Sequence, residues 1–248
     1  MITLAIDTSE SRGSVAVLRD GEPLVVAAHE DRSDYSEWLI SAVERVLDAS
    51  GSKMGSVDLY AVATGPGSFT GVRVGLTTVK AWCEIYGKPV VGVSRLEALI
   101  ASGGPEAARA ERASGAPALW AAFYDAQRGQ VFGALYRNEA GGLERVGDEM
   151  VIEAEKLLEM AEGEGGERPI HWVSLDPELI TGLQGWGERS RRGDVVQAVS
   201  PQLATAIGRI AERRAAEGRY SDPLELDANY VRRSDAEIFW KGPAANVR

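Results

Sequence analysis

Short apolar runs separated by turn residues open the chain, and segments of helical periodicity follow them. Alternating or continuous apolar residues predict strands over residues 2–6, 14–18 and 24–28, with Asp20-Gly21 as the hairpin turn between the second and third. Further on, strands are predicted over 59–63 and 89–93 and helices over 36–47, 70–86 and 95–101. Three meandering strands followed by alternating helices and strands indicate a mixed sheet covered by helices.

The opening pattern returns in the second half of the chain. An apolar strand ending in Asp7 is followed by a glycine turn and a second strand, and the same order recurs around Asp125 and Gly129. Such internal repetition predicts two related α/β lobes. We expect an N-terminal lobe over residues 1–101 and a C-terminal lobe over 118–248. The small and polar stretch 102–117 would be a linker or insertion, and a late helix is expected over about 201–217.

Composition narrows the functional class. The 248 residues hold 27 Lys and Arg against 37 Asp and Glu, a formal net charge of −10. A chain of this charge repels a polyanion at long range, so any contact with RNA is expected through a basic partner. No apolar run is long enough to span a bilayer, no signal peptide is evident, and the single cysteine, Cys83, cannot form an internal disulfide. These features predict a cytoplasmic protein.

Residues 65–75 form a glycine-rich turn between a predicted strand and a predicted helix. The turn has no Lys-Ser or Lys-Thr after its glycines, so it is not a Walker A motif, and Ser68 is not centred in a G-x-S-x-G elbow. Free N–H groups at a helix start can still attract an anion. The candidates for nucleotide or anion contact are Asp7, Thr8, Gly67 and Ser68.

The carboxylates of Asp7 and Asp125 end matching strands and admit two interpretations. They could hold a hydrated metal ion or a water in a shared cleft, or each could cap its own turn. The two histidines, His29 and His171, form no metal-ligand motif, and no catalytic triad can be assembled. We therefore nominate no catalytic residue and no intrinsic metal site.

The two N-terminal helices suggest either internal packing or a partner surface. Small residues line one strip of the second helix, and an apolar stripe runs along the first. Burial of both inside one lobe and exposure to a partner stay open as alternatives. The candidate interface residues are Tyr35, Trp38, Leu39, Ala42, Gly71, Gly75, Thr78 and Val79.

Four segments of this chain resemble the TsaB (YeaZ) family of tRNA threonylcarbamoyladenosine biosynthesis proteins. The glycine turn Gly65-Pro66-Gly67-Ser68-Phe69-Thr70-Gly71-Val72-Arg73-Val74-Gly75 is similar to the family signature. The strand around Asp7, the hairpin 124–132 and Tyr230-Val231-Arg232 are similar to other family motifs, so the resemblance spans nearly the whole chain. The chain departs from the family pattern at Tyr35 and Gln127, where His and Arg are common.

This resemblance implies a two-lobed actin/Hsp70-like (ASKHA) fold with a duplicated mixed-sheet core. It implies a non-catalytic subunit that forms a heterodimer with TsaD, which carries the metal and modifies the adenosine next to the anticodon. The ATPase TsaE would join them, ATP or ADP could sit at the complex interface, and the chain alone would form a homodimer. The alternative is a free-standing nucleotide-binding enzyme or M22-like peptidase of the same fold.

Overall fold

The computed structural model describes residues 1–29, 34–103, 118–139 and 142–231, which form two five-stranded sheets. Strands alternate in side-chain direction, so the apolar runs of the sequence supply both faces of each sheet. The first sheet contains β1 Ile2–Asp7, β2 Ser14–Arg19, β3 Glu22–Ala28, β4 Leu59–Ala63 and β5 Val90–Val93. The second contains β6 Leu119–Asp125, β7 Gln130–Glu139, β8 Gly142–Glu153, β9 Ile170–Ser174 and β10 Val195–Ala198.

The two sheets have the same internal order. Their strand orders are β3-β2-β1-β4-β5 and β10-β9-β6-β7-β8, which coincide when one is reversed. In each sheet the first strand pairs antiparallel with the second and parallel with the fourth. The fifth strand then pairs parallel with the fourth. This repetition confirms the duplicated mixed-sheet core predicted from the sequence.

Helices form three layers around and between these sheets. The helices are α1 Tyr35–Ala49, α2 Phe69–Tyr86, α3 Arg95–Ser102, α4 Ala154–Gly165, α5 Glu178–Thr181, α6 Trp186–Arg191 and α7 Ala204–Ala216. Helices α1 and α2 pack on the outer face of the first sheet, and α4 and α5 on the outer face of the second. Helices α3 and α7 lie between the sheets, where apolar residues of both sheets join one core. None of the described helices is long and apolar enough to cross a membrane.

The C-terminal part of the described chain returns to the first sheet. Helix α7 packs on β1, β2 and β4. Beyond it, Ser221 forms a bridge with Val90, and Leu226 is buried in the core beneath α1 and α2. The division into lobes at 1–101 and 118–248 stays a prediction. Helix α7 and the segment after it belong to the second of these ranges but pack on the first sheet. Residues 104–117 of the predicted linker and the motif residue Arg232 lie outside the described ranges.

Candidate functional site

The glycine turn packs closely against the turn that follows β1. The backbones of Gly65 and Gly67 have φ of 99° and 155°, a region that favours glycine. A Cβ on Gly67 would lie 2.0 Å from the carbonyl oxygen of Ser9, and a Cβ on Gly71 would lie 2.1 Å from that of Thr8. The glycines are therefore required for the close approach of two backbone segments.

The polar groups of the turn are used internally. The Thr8 hydroxyl donates to the Gly71 carbonyl oxygen at 2.7 Å. The Ser68 side chain accepts from the Gly71 N–H at 3.3 Å and so caps the start of α2. The Ser68 N–H donates to the Ser9 carbonyl oxygen at 2.7 Å. As contacts to a nucleotide, Thr8, Gly67 and Ser68 stay a prediction.

Asp7 is fully buried and paired with Arg95, the first residue of α3. The Arg95 Nε donates to the carboxylate at 3.1 Å, and the Ser9 N–H donates to its other oxygen at 3.0 Å. The Arg95 guanidinium stacks 4.6 Å from the ring centre of Tyr124, whose hydroxyl donates to the Pro66 carbonyl oxygen at 2.7 Å. This cluster ties the first sheet, α3 and the second sheet together, so Asp7 has a structural role here.

The electrostatics of this cluster follow from its burial. Burial alone would lower the pKa of Arg95, but the charges of Asp7 and Glu10 and the Tyr124 hydroxyl outweigh it and raise the pKa above its ordinary value. Burial raises the pKa of Tyr124, so both groups keep their protons. A protonated guanidinium beside a carboxylate provides neither a general base nor a free metal ligand.

Asp125 caps its own turn, as the second interpretation proposed. Its carboxylate accepts from the Gln127 N–H at 2.7 Å and from the Gln127 side-chain amide at 2.9 Å. Gln127 stands at φ 64°, a conformation that this short turn requires. No group of three metal-ligating side chains occurs within the described ranges. Burial raises the pKa of the Cys83 thiol, which disfavours its nucleophilic thiolate.

An open groove of about 510 Å³ runs between α1 and α2 on the outside of the first sheet. Its walls combine apolar side chains, hydroxyls and one cationic side chain. Helix α1 contributes Tyr35, Ser36, Leu39 and Ile40, and α2 contributes Phe69, Thr70, Arg73, Val74, Thr77 and Thr78. Ile40 is 47% exposed and Phe69 is 36% exposed, so the groove presents apolar surface to solvent. We call it the α1/α2 groove.

The predicted interface residues divide between this groove and the core beneath it. Tyr35, Leu39 and Thr78 line the groove. Leu39 is nevertheless only 1% exposed, and the other five are buried as well: Trp38, Ala42, Gly71, Gly75 and Val79. A Cβ on Gly75 would lie 2.6 Å from the Thr8 hydroxyl oxygen, so the small strip of α2 faces β1 and its turn. As partner contacts, the eight residues stay a prediction.

The exposed walls of the groove were missed in the sequence. Helical periodicity marks the side of a helix that faces the core, and it selected Trp38, Ala42 and Val79 for that reason. Ile40 and Val74 lie outside the stripe and carry no periodic signal. One sequence feature could have indicated the groove: Ile40 is an apolar residue that lies outside the buried stripe of an amphipathic helix.

Tyr35, a departure from the family pattern, joins the groove to the turn after β1. Its hydroxyl accepts from the Gly13 N–H at 2.7 Å and donates to the Glu10 carbonyl oxygen. Its ring packs with His29 and Trp38, at centroid distances of 4.4 and 5.8 Å. Burial raises the pKa of Tyr35 well above its ordinary value, so the hydroxyl stays a donor.

Comparisons with known proteins identify the family and the fold that this chain is similar to. Residues 29–175 match the family model described as "TsaD: tRNA N6-adenosine threonylcarbamoyltransferase". The chain is 30% identical to the tRNA threonylcarbamoyladenosine biosynthesis protein TsaB of Escherichia coli, over 92% of this chain and 96% of that protein. It is 29% identical to TsaB of Bacillus subtilis, over 97% and 98% of the two chains. The fold matches that of YeaZ from Pseudomonas aeruginosa with a TM-score of 0.68, at 24% identity over 92% of this chain and 99% of that chain.

Proposed function

Because the chain belongs to the TsaB family and so takes part in tRNA threonylcarbamoyladenosine modification, we propose that it is a non-catalytic subunit of the modifying complex. In this proposal it binds the threonylcarbamoyltransferase TsaD through the α1/α2 groove and activates it in the cytoplasm. The observation that carries the proposal is the groove itself, an exposed apolar surface between two helices that are rigidly packed on the first sheet.

The groove fits a protein partner better than a small substrate. It is open to solvent along its length, whereas substrate pockets enclose most of the surface of their ligand. Exposed apolar side chains such as Ile40 and Phe69 lose contact with water when a complementary surface covers them. A partner helix could lie between α1 and α2 in the way that helices of a bundle pack.

Two features of the buried residues support the proposal that this subunit is not catalytic. The cluster at the junction of the sheets holds its carboxylate, Asp7, in an ion pair with Arg95. The glycine turn packs directly against the backbone of Ser9 and Thr8. We therefore propose that the chain holds no nucleotide by itself, and that ATP or ADP enters at the interface of the assembled complex.

The remaining partners follow from this arrangement. We propose that the ATPase TsaE joins the heterodimer and that tRNA reaches this chain only through the complex, since a net charge of −10 opposes direct binding. Without TsaD, two copies would cover their apolar grooves by forming a homodimer. Light scattering at high protein concentration tests that dimer, and a monomer would rule it out.

A reconstituted modification assay tests the proposed function. Purified TsaD and TsaE of the same organism are given ATP, a donor of the threonylcarbamoyl group and unmodified tRNA, with and without this chain. We expect modification only when the chain is present, and neither ATP turnover nor peptide cleavage by the chain alone. Turnover or cleavage by the isolated chain would contradict the proposal and favour the enzyme alternative.

A further inference from the structure

Arg73 is the one residue lining the α1/α2 groove that carries a charge at neutral pH, and two aromatic side chains hold it in place. Its guanidinium carbon lies 3.7 Å from the ring centre of Phe69, which precedes it by one helical turn. Its Nε donates to the hydroxyl of Tyr230 at 2.7 Å. The side chain therefore stands in a defined position at the edge of the groove.

Tyr230 is itself fixed by the segment that returns to the first sheet. The N–H of its neighbour Asn229 donates to the Thr64 carbonyl oxygen at 2.8 Å, and the Asn229 amide donates to the Glu149 carboxylate of the second sheet. Leu226 anchors the same segment in the core beneath α1 and α2. Tyr230 thus holds Arg73 from outside the helix on which Arg73 lies.

Arg73 lacks the counter-charge that other arginines of this chain have. Arg95, Arg189 and Arg214 each pair with a carboxylate at 3.1 Å or less. Arg73 makes no ion pair with a described residue, and its contacts with the described residues use only Nε and the face of the guanidinium. The two terminal nitrogens stay available, and their planar fork matches a carboxylate with two parallel hydrogen bonds.

We propose that Arg73 is the polar recognition point of the α1/α2 groove and that it pairs with an aspartate or glutamate on the partner's helix. The inference rests on the proposed function, because it specifies the chemistry of the same surface. The partner element is an amphipathic helix that places aliphatic side chains against Ile40 and Val74 and its carboxylate against Arg73. Tyr230 is a positioning residue, since it acts only by fixing the guanidinium before the partner arrives.

Holding the arginine in advance has a thermodynamic consequence. A free arginine loses its rotamer freedom when it forms a bidentate pair, and that loss weakens binding. Phe69 and Tyr230 impose this order in the unbound protein, so less freedom is lost on association. The ion pair also becomes desolvated as the apolar walls are covered, which makes the loss of one partner costly.

Affinity for purified TsaD of the same organism tests the inference, measured for full-length wild type, Arg73→Met, Tyr230→Phe and the double variant. Methionine keeps much of the apolar stem of arginine and removes the charge. We expect Arg73→Met to weaken binding by about 30-fold, and Tyr230→Phe by about 5-fold. In the Arg73→Met background, Tyr230→Phe should have no further effect. Raising the salt from about 50 to 500 mM should weaken the wild type more than Arg73→Met.

Ile40→Asp places a charge in the groove and leaves the Arg73 side chain itself unchanged, so it tests the groove separately from the arginine. If Ile40→Asp abolishes binding while Arg73→Met stays within about twofold of wild type, the groove is the interface and the arginine proposal is wrong. An equal effect of Tyr230→Phe in both backgrounds would overturn the positioning role. If the effect of Arg73→Met occurs only with ATP present, a phosphate rather than a partner carboxylate is its target. If Ile40→Asp also leaves affinity unchanged, the proposed interface fails as a whole.

Discussion

The buried pair between Asp7 and Arg95 should contribute strongly to stability, and Arg95→Met tests this. Both side chains are fully buried, so the variant leaves a carboxylate in the core with donors from Ser9 alone. Removal of one partner from a buried ion pair typically costs about 3–5 kcal/mol of unfolding free energy. The two terminal nitrogens of Arg95 have no hydrogen-bond acceptor among the described residues. Because the wild type already bears that cost, we expect the loss to lie near the lower end, about 3 kcal/mol.

Urea unfolding followed by circular dichroism measures this loss. A change of about 3 kcal/mol should lower the urea midpoint by roughly 1 M or more. The double variant Asp7→Asn/Arg95→Met should lose less than the sum of the two single variants, because it leaves no unpaired charge. Arg209→Met is the matched control, since its guanidinium is half exposed and donates to the Gly21 carbonyl oxygen. It should change stability by less than about 1 kcal/mol. An Arg95→Met variant as stable as this control would refute the reasoning.

Three further predictions address the glycine turn and the junction of the sheets. Gly71→Ala should destabilise the chain by about 3 kcal/mol or more in urea unfolding, because its Cβ would meet the Thr8 carbonyl oxygen; Gly163→Ala, on an open helix surface, should be neutral or slightly stabilising. Burial raises the pKa of Glu149, so the folded state holds that proton more tightly than the unfolded state, and this carboxylate destabilises the fold as pH rises. Wild type should therefore gain stability relative to Glu149→Gln as pH falls from about 7 to 5, and a constant difference would contradict this. Tyr124→Phe should lose about 1 kcal/mol of unfolding free energy, and no loss would show that its bond between the sheets contributes nothing.

The N-terminal lobe could be predicted from sequence because each of its elements has one clear period. The strand 59–63 is β4 as the structure has it, and the helix expected over 36–47 lies within α1. Residues 142–200 gave no such signal. Strand β8 mixes charged and apolar residues and contains Gly147 at φ 74°, which interrupts the alternation. Helices α5 and α6 have only 4 and 6 residues, too few for a helical period.

The site was harder to predict than the fold for a physical reason. The sequence pattern reports burial, and a docking surface is defined by what is left exposed. The small strip at Gly71 and Gly75 suggested a close partner, but the structure shows that the close neighbour is Thr8 of the same chain. Contacts between residues far apart in sequence, such as that between Arg73 and Tyr230, leave no periodic trace.

The dissociation constant of the complex with TsaD tests the central claim most directly. It should be measured by isothermal titration calorimetry for wild type, Ile40→Asp and Ile85→Asp, with unfolding midpoints to confirm that all three fold. Ile85 is 70% exposed near the end of α2 and does not line the groove, so it is a control for placing a charge on the surface. We predict that Ile40→Asp weakens binding by about 100-fold or more, as expected for a charge buried without a partner. Ile85→Asp should bind like wild type, and equal affinity of all three proteins would contradict the account.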